Sequence, residues 1–161
     1  MTQRVTQTKK TSRRVERINA FKVLYALCFA RANSEKDLRE AFLRSPDRPE
    51  VLDEQGGYAW SLVCNVWKHQ EALDKAIASF SQNWRVERLG KIEATLLRIA
   101  FWELIQDDPD VPPKVAINEA VELSKQYNDE KSRSFINGIL DAAAKARDAG
   151  TLRKSFEESK R

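Results

Sequence analysis

Lys91-Ile92-Glu93-Ala94-Thr95-Leu96-Leu97-Arg98-Ile99-Ala100-Phe101-Trp102-Glu103-Leu104 decides the fold class. Ile92, Leu96, Ile99, Ala100 and Glu103 fall in phase on one face of a helix, with Leu104 beside them. The stretch stops at Asp107-Asp108-Pro109-Asp110-Val111-Pro112-Pro113, because proline cannot continue a helix interior. The second of the paired prolines suits the first turn of a following helix.

The same period returns on both sides. Downstream, Lys114 to Tyr127 is predicted to bury Ala116, Ala120, Leu123 and Tyr127. After a turn at Asn128-Asp129, a helix from about Glu130 to Arg147 is predicted to bury Phe135, Ile136, Ile139, Leu140 and Ala143. Gly138 inside it costs ~1 kcal/mol relative to alanine, which reads as a close helix–helix approach. Gly150 suits a helix terminator, with a loose charged tail beyond it.

Upstream, Asn83 to Leu89 reads as a single turn, and Val51 to Phe80 as one long helix carrying Ala59, Leu62, Val66, Leu73 and Ile77. Trp60 and Trp67 flank that stripe, and Gly56-Gly57 interrupts its start. Ser34-Glu35-Lys36-Asp37 resembles a capping box, opening a short helix that ends before Ser45-Pro46-Asp47-Arg48-Pro49. Ser12 suits the N-cap of a first helix to about Ala30, with Val15, Ile18, Phe21, Tyr25 and Cys28 on one face. No stretch alternates strictly with β-branched enrichment. The expected class is all-α, several amphipathic helices with short connections and hence a bundle, with a basic tail over 1–11 and a charged tail over 149–161.

Composition agrees. Of 161 residues, 42% are hydrophobic and 32% charged, enough apolar surface for a core and too much for an intrinsically disordered chain. Five Gly and five Pro argue against a turn-rich β sandwich or barrel. Two Cys and one His cannot assemble a four-ligand structural zinc site, so neither metal nor cofactor is expected. Val23 to Ala30 follows a basic stretch in the manner of a secretory signal. The run is short, however, Lys22 interrupts it and Glu16 precedes it, so it reads as a buried helix face. A cytoplasmic protein with reduced Cys28 and Cys64 and no membrane contact is expected.

The net charge of +4 hides a polarised distribution. Over residues 1–22, Arg4, Lys9, Lys10, Arg13, Arg14, Arg17 and Lys22 face Glu16 alone, whereas the body of the chain is mildly acidic. A basic edge on an acidic body suggests a polyanion on one side and another partner elsewhere. Arginine's planar fork makes bidentate, charge-assisted contacts to phosphate. Cations also sit on the opening turns of the first helix against the macrodipole preference. Arg13, Arg14 and Arg17 are therefore candidate phosphate contacts, and their side chains are expected at the surface. Lys131, Ser132, Arg133 and Phe135 combine cations, a donor and an aromatic, a set suited to backbone contact and base stacking on single-stranded RNA. Phe135 is open to a second reading, as core.

Enzyme templates are absent: no G-x-G-x-x-G, no G-x-x-x-x-G-K-[ST] and no G-x-S-x-G occurs. His69 has no nucleophile or orienting acid implied by its spacing and reads as a satisfied or surface residue. Glu87, Glu93 and Glu103 read as solvated face residues. No enzymatic activity is expected.

Asp110-Val111-Pro112 followed by Lys114-Val115-Ala116-Ile117-Asn118-Glu119-Ala120-Val121-Glu122-Leu123 resembles a motif of the transcription antitermination factor NusB family. Ser134-Phe135-Ile136-Asn137-Gly138-Ile139-Leu140-Asp141 is similar to a second motif, and Leu97 to Leu104 and Arg13-Arg14 through Leu24-Tyr25 to two more. The resemblance is dense over 91–144, clear over 12–30 and loose between them. It implies an all-helical fold of two small three-helix subdomains, here at about 12–80 and 83–148, and binding of the boxA element of nascent RNA together with NusE, a small-subunit ribosomal protein. Joined by other Nus factors, the pair acts on RNA polymerase to promote read-through, chiefly in ribosomal RNA operons. Carried over residue by residue, Arg13, Arg14 and Arg17 match the arginine-rich RNA-binding start, and Lys131, Ser132 and Phe135 the second RNA-contacting segment. Glu87 and Glu93 match the region turned to NusE. Lys131 stands where some relatives carry an acid. A homodimer is compatible with the sequence. Two alternatives stand beside this reading: the helical partner of a ribosomal RNA methyltransferase, and a protein–protein adaptor without RNA binding.

Overall fold

The computed structural model describes residues 12–46, 57–81, 89–127 and 130–160. The basic tail expected over 1–11, the turn expected within 83–88 and the turn at 128–129 lie outside these, as does Glu87. Eight helices occur among the described residues: α1 (Arg13–Leu27), α2 (Glu35–Arg44), α3 (Gly57–Lys68), α4 (Gln70–Phe80), α5 (Lys91–Gln106), α6 (Pro113–Tyr127), α7 (Glu130–Asp148) and α8 (Thr151–Ser159).

Helix α5 is the axis of the bundle. Ten of its sixteen residues are buried, on every side of the helix, which is the pattern of a helix enclosed by others. It packs against α1, α3, α4, α6, α7 and α8. Its Leu96, Leu97, Phe101 and Leu104 join Phe21, Phe42, Leu62, Leu73, Ile136 and Phe156 from its neighbours in one continuous core.

Ser12 caps α1 by accepting from the Val15 amide at 3.3 Å, and Ser34 caps α2 by accepting from Asp37 N at 3.1 Å. The start of α3 is capped from outside. The Glu16 carboxylate accepts the Tyr58 amide at 3.1 Å, and Gly57 reaches that position with φ +69°, where a side chain would be strained.

Several expectations need correction. Of the long helix expected over 51–80, the described part, residues 57–80, forms two helices, broken at His69 (φ −110°, ψ 16°). Helix α4 packs against α5, α7 and α8 as well as against α3. Residues 151–159 form α8 instead of a loose tail, because Leu152 and Phe156 lie one turn apart and are both 1% exposed. Gly138 does not mark a close approach: a Cβ added there would meet nothing within 4 Å. Tyr127, expected in the core, is 41% exposed.

Candidate nucleic-acid interface

Helix α1 runs antiparallel to α5, which brings its opening arginines to the C-terminal end of α5. Arg17 meets Glu103 there in a bidentate pair. Nε donates to both carboxylate oxygens at 2.9 and 3.0 Å, and a terminal nitrogen donates to Oε2 at 2.8 Å. The side chains are 5% and 3% exposed. The Tyr58 hydroxyl adds a fourth hydrogen bond to the same carboxylate at 2.5 Å. Burial disfavours the charged form of Arg17, but the hydrogen bonds and charge of Glu103 outweigh it and raise its pKa. Burial and the neighbouring Glu103 charge push the Tyr58 phenol well above its ordinary range. Neither Arg17 nor Glu103 is the solvated group that composition suggested. The Arg17 guanidinium is enclosed, with Nε and one terminal nitrogen taken by Glu103, which turns that edge away from any phosphate.

Arg13 and Arg14 stand further out. Arg13 lies 4.3 Å above the Tyr58 ring and donates to Asp108 at 3.4 Å. Arg14, 64% exposed along its side chain, forks onto Glu119 of α6 with distances of 2.9 to 3.2 Å. Both are held in fixed directions by carboxylates, Asp108 from the connection between α5 and α6 and Glu119 from α6, while keeping solvent access.

The second group lies at the opposite end of α5. Ser132 donates to Glu93 Oε1 at 3.1 Å, tying the start of α7 to the first turn of α5. Lys131 is exposed, and Arg133 and Phe135 are half-buried. Phe135 packs against the edge of the core, so its two readings are not exclusive. Ten residues of helix separate Glu93 from Glu103, or about 15 Å along the axis. The structure thus places the two basic segments at opposite ends of α5. It also joins two residues assigned to different partners, Ser132 and Glu93.

Exposed aromatics near Glu93 went unread in the sequence. Phe29 is 66% exposed, with the Lys91 ammonium 4.8 Å above its ring. Tyr25 packs edge-on to Phe29 at 5.2 Å, and Tyr127 lies 5.2 Å from Phe21. Tyr127 and Tyr25 sit in helical phase with core residues, so period alone could not show them half outside.

His69 has a structural role: Nδ1 lies 2.9 Å from the Asn65 carbonyl and the ring stacks on Trp102 at 5.0 Å. No cluster of three or more His, Cys, Asp and Glu that could hold a metal ion occurs among the described residues. No described helix is long and apolar enough to cross a membrane.

Comparison with known proteins decides the family. A model of the NusB family matches residues 14–145. The chain belongs to the NusB family. It is 54% identical over 158 residues to the transcription antitermination protein NusB of Nitratidesulfovibrio vulgaris (strain Miyazaki F), covering 91% of this chain and 95% of that one. With the NusB of Oleidesulfovibrio alaskensis it shares 56% identity over 147 residues, 88% of this chain and 93% of the relative. The fold matches T. maritima NusB with a TM-score of 0.73 at 31% identity, over 92% of this chain and 99% of that one. It also matches a crystal structure of the antitermination factors NusB and NusE in complex with double-stranded RNA, with a TM-score of 0.68 at 30% identity, over 83% and 96%. The all-α bundle and the general antitermination character expected of a NusB-family member therefore hold for this chain.

Proposed function

We propose that this NusB protein binds boxA RNA together with NusE and so promotes read-through by RNA polymerase, chiefly in ribosomal RNA operons. The observation that carries the reading is the pair Arg13 and Arg14, aimed outward from α1 by Asp108 and Glu119 while Arg17 holds the helix from beneath. A solved relative combines NusB, NusE and RNA in one crystal, which supports both partners. RNA contact is assigned to Arg13, Arg14, Lys131, Ser132, Arg133 and Phe135, and NusE contact to Glu93 and Glu87. Phe29, exposed and in contact with the ammonium of Lys91 two residues before Glu93, suits an anchor of a protein interface with a polar rim. Because Glu93 holds Ser132, charge reversal at Glu93 disturbs the RNA segment too and is not a clean probe of NusE alone.

The testing experiment is a titration of boxA-like RNA, single-stranded and as a duplex, with and without NusE, across a series of salt concentrations. Replacing Arg13 and Arg14 together by alanine is expected to weaken single-strand binding and to flatten the log–log salt slope by about 0.7 for each lost phosphate contact. Thermal stability should change little, since exposed ion pairs contribute roughly 0–1 kcal/mol. An unchanged slope would remove the arginine end from the interface, and failure of every RNA to bind would leave the adaptor reading.

Phe135→Ala is expected to weaken RNA binding by about 1–3 kcal/mol if a base stacks on the ring. Because the ring is half-buried, the accompanying stability loss should fall below the roughly 3–5 kcal/mol of a fully enclosed phenylalanine. Melting curves and RNA titrations on the same variant separate the two. A stability loss in the full range with normal RNA affinity of the folded protein would make Phe135 a core residue alone.

A further inference from the structure

Between α3 and the C-terminal end of α5, beside the arginine end, lies an open cavity of about 320 Å³. That is the lower end of the size range of small-ligand pockets. Leu62 and Val111, 2% and 3% exposed, form its apolar base, and the rings of Tyr58 and Trp102 line it. Asn65 and Gln106 bring amide groups to it: that of Gln106 can both donate and accept, and that of Asn65, whose nitrogen donates to the Ser61 carbonyl at 2.9 Å, offers its oxygen as an acceptor. We propose that this cavity takes one unstacked nucleobase of the bound RNA.

The choice of ligand follows from charge. Two carboxylates line the cavity, Glu103 and Asp108, which disfavours a phosphate. Both are already matched by cations, Glu103 by Arg17 and Asp108 by Arg13, so a cationic side chain gains little there. A neutral, planar group with a mixed donor and acceptor edge fits what is left. Single-stranded RNA supplies such groups, since its bases can be splayed out, stacked on aromatic rings and read at their edges by hydrogen bonds. The cavity also has the right neighbour. Arg13 lies over the Tyr58 ring, so a strand whose phosphate rests on Arg13 has its next base within reach of the cavity mouth. Amides specify a base edge where the arginines read only backbone, so the cavity would contribute sequence preference at one position.

The proposal rests on the RNA-binding reading above, and the test keeps the two apart. Ser61, exposed at the cavity, is replaced by Phe to fill it, and exposed Gln106 is replaced by Ala to remove one amide; melting curves verify that both fold. A boxA-like single strand is then prepared as a series with one abasic nucleotide at a time and titrated against wild type and both variants. Wild type is expected to lose about tenfold in affinity at one abasic position beyond the stacking position at Phe135. Ser61→Phe is expected to bind intact RNA about tenfold more weakly, with an unchanged salt slope, and to be indifferent to that same abasic position. Gln106→Ala should show a smaller loss, and a changed base preference, at that position only. If wild type binds RNA but no abasic position couples to Ser61→Phe, the cavity takes no base and the RNA-binding reading survives. If Ser61→Phe weakens NusE binding and leaves RNA untouched, the cavity belongs to a protein partner and the proposal is overturned. If intact RNA does not bind wild type at all, the reading beneath it fails instead.

Discussion

Arg17→Ala is expected to remove about 3–5 kcal/mol of folding stability, the usual cost of stranding one member of a buried ion pair. The Glu103 carboxylate loses three of its four hydrogen bonds, keeping only the Tyr58 hydroxyl, at a position 4% exposed. Domains of this kind are stable by only about 5–15 kcal/mol, so the loss would consume much of the margin. Urea unfolding with two probes measures it. Arg17→Lys should rescue little, because an ammonium cannot reproduce the fork that engages both carboxylate oxygens. Replacing Arg17 by Met and Glu103 by Leu together should cost less than the single change, since no charge is then left buried without a partner. RNA binding supplies the contrast with Arg13 and Arg14. The folded fraction of Arg17→Ala should keep the wild-type salt slope. A slope reduced by about 0.7, with stability near wild type, would return Arg17 to the phosphate contacts expected from composition.

Why Arg17 was misread in the sequence is instructive. The apolar positions of α1 suggested the stripe Val15, Ile18, Phe21, Tyr25, Cys28. The buried face is rotated from it: Arg17, Ala20, Phe21 and Leu24 point inward, and Val15 is 47% exposed. Arg17 is in phase with Phe21 and Leu24, but periodicity scored on apolar residues passes over a charged side chain in the stripe. Its partner carried the complementary signal, since Glu103 stood in phase with Ile92, Leu96, Ile99 and Ala100 on α5. A charge on each of two apolar stripes is what a buried pair looks like in sequence. Joining the two positions, 86 residues apart, requires the tertiary fold.

Other features divide along the same line. The order and limits of α1, α2, α5, α6 and α7 followed from caps, prolines and period, all of which are local. The break at His69 did not, because its neighbours on both sides keep helical phase, and only the packing of α4 against α5 and α8 reveals the change of direction. The composition of each basic segment was legible. Their placement at opposite ends of α5 was not, nor was the Ser132–Glu93 contact, because both depend on how α1 and α7 lie on α5.

Phe156→Ala is the second change expected to be severe, at about 3–5 kcal/mol. Phe156 is 1% exposed and lies against Trp102 and His69, with ring centroids at 6.2 and 5.9 Å. Those two rings are themselves stacked, so α8 closes an aromatic cluster built from the α3–α4 junction and α5. Nothing about residues 149–161 read alone suggests this. The segment is short and strongly charged, and its two large apolar residues, Leu152 and Phe156, make only one i, i+4 pair. An isolated helix of nine residues is not stable in water, so α8 is held by what it covers. Gly150 supplies the turn into it with φ +77°, which keeps the end of α7 free to continue directly into the packed helix. Thermal and urea unfolding of Phe156→Ala, beside a chain truncated after Asp148, measures the contribution. Both should be destabilised, and the truncation should expose Trp102 and shift its fluorescence, with Trp60→Phe, Trp67→Phe and Trp84→Phe in the background to isolate that indole. Near-native stability of both variants would mean that α8 rests on a core complete without it, and 149–161 would then be the loose tail its charge suggests.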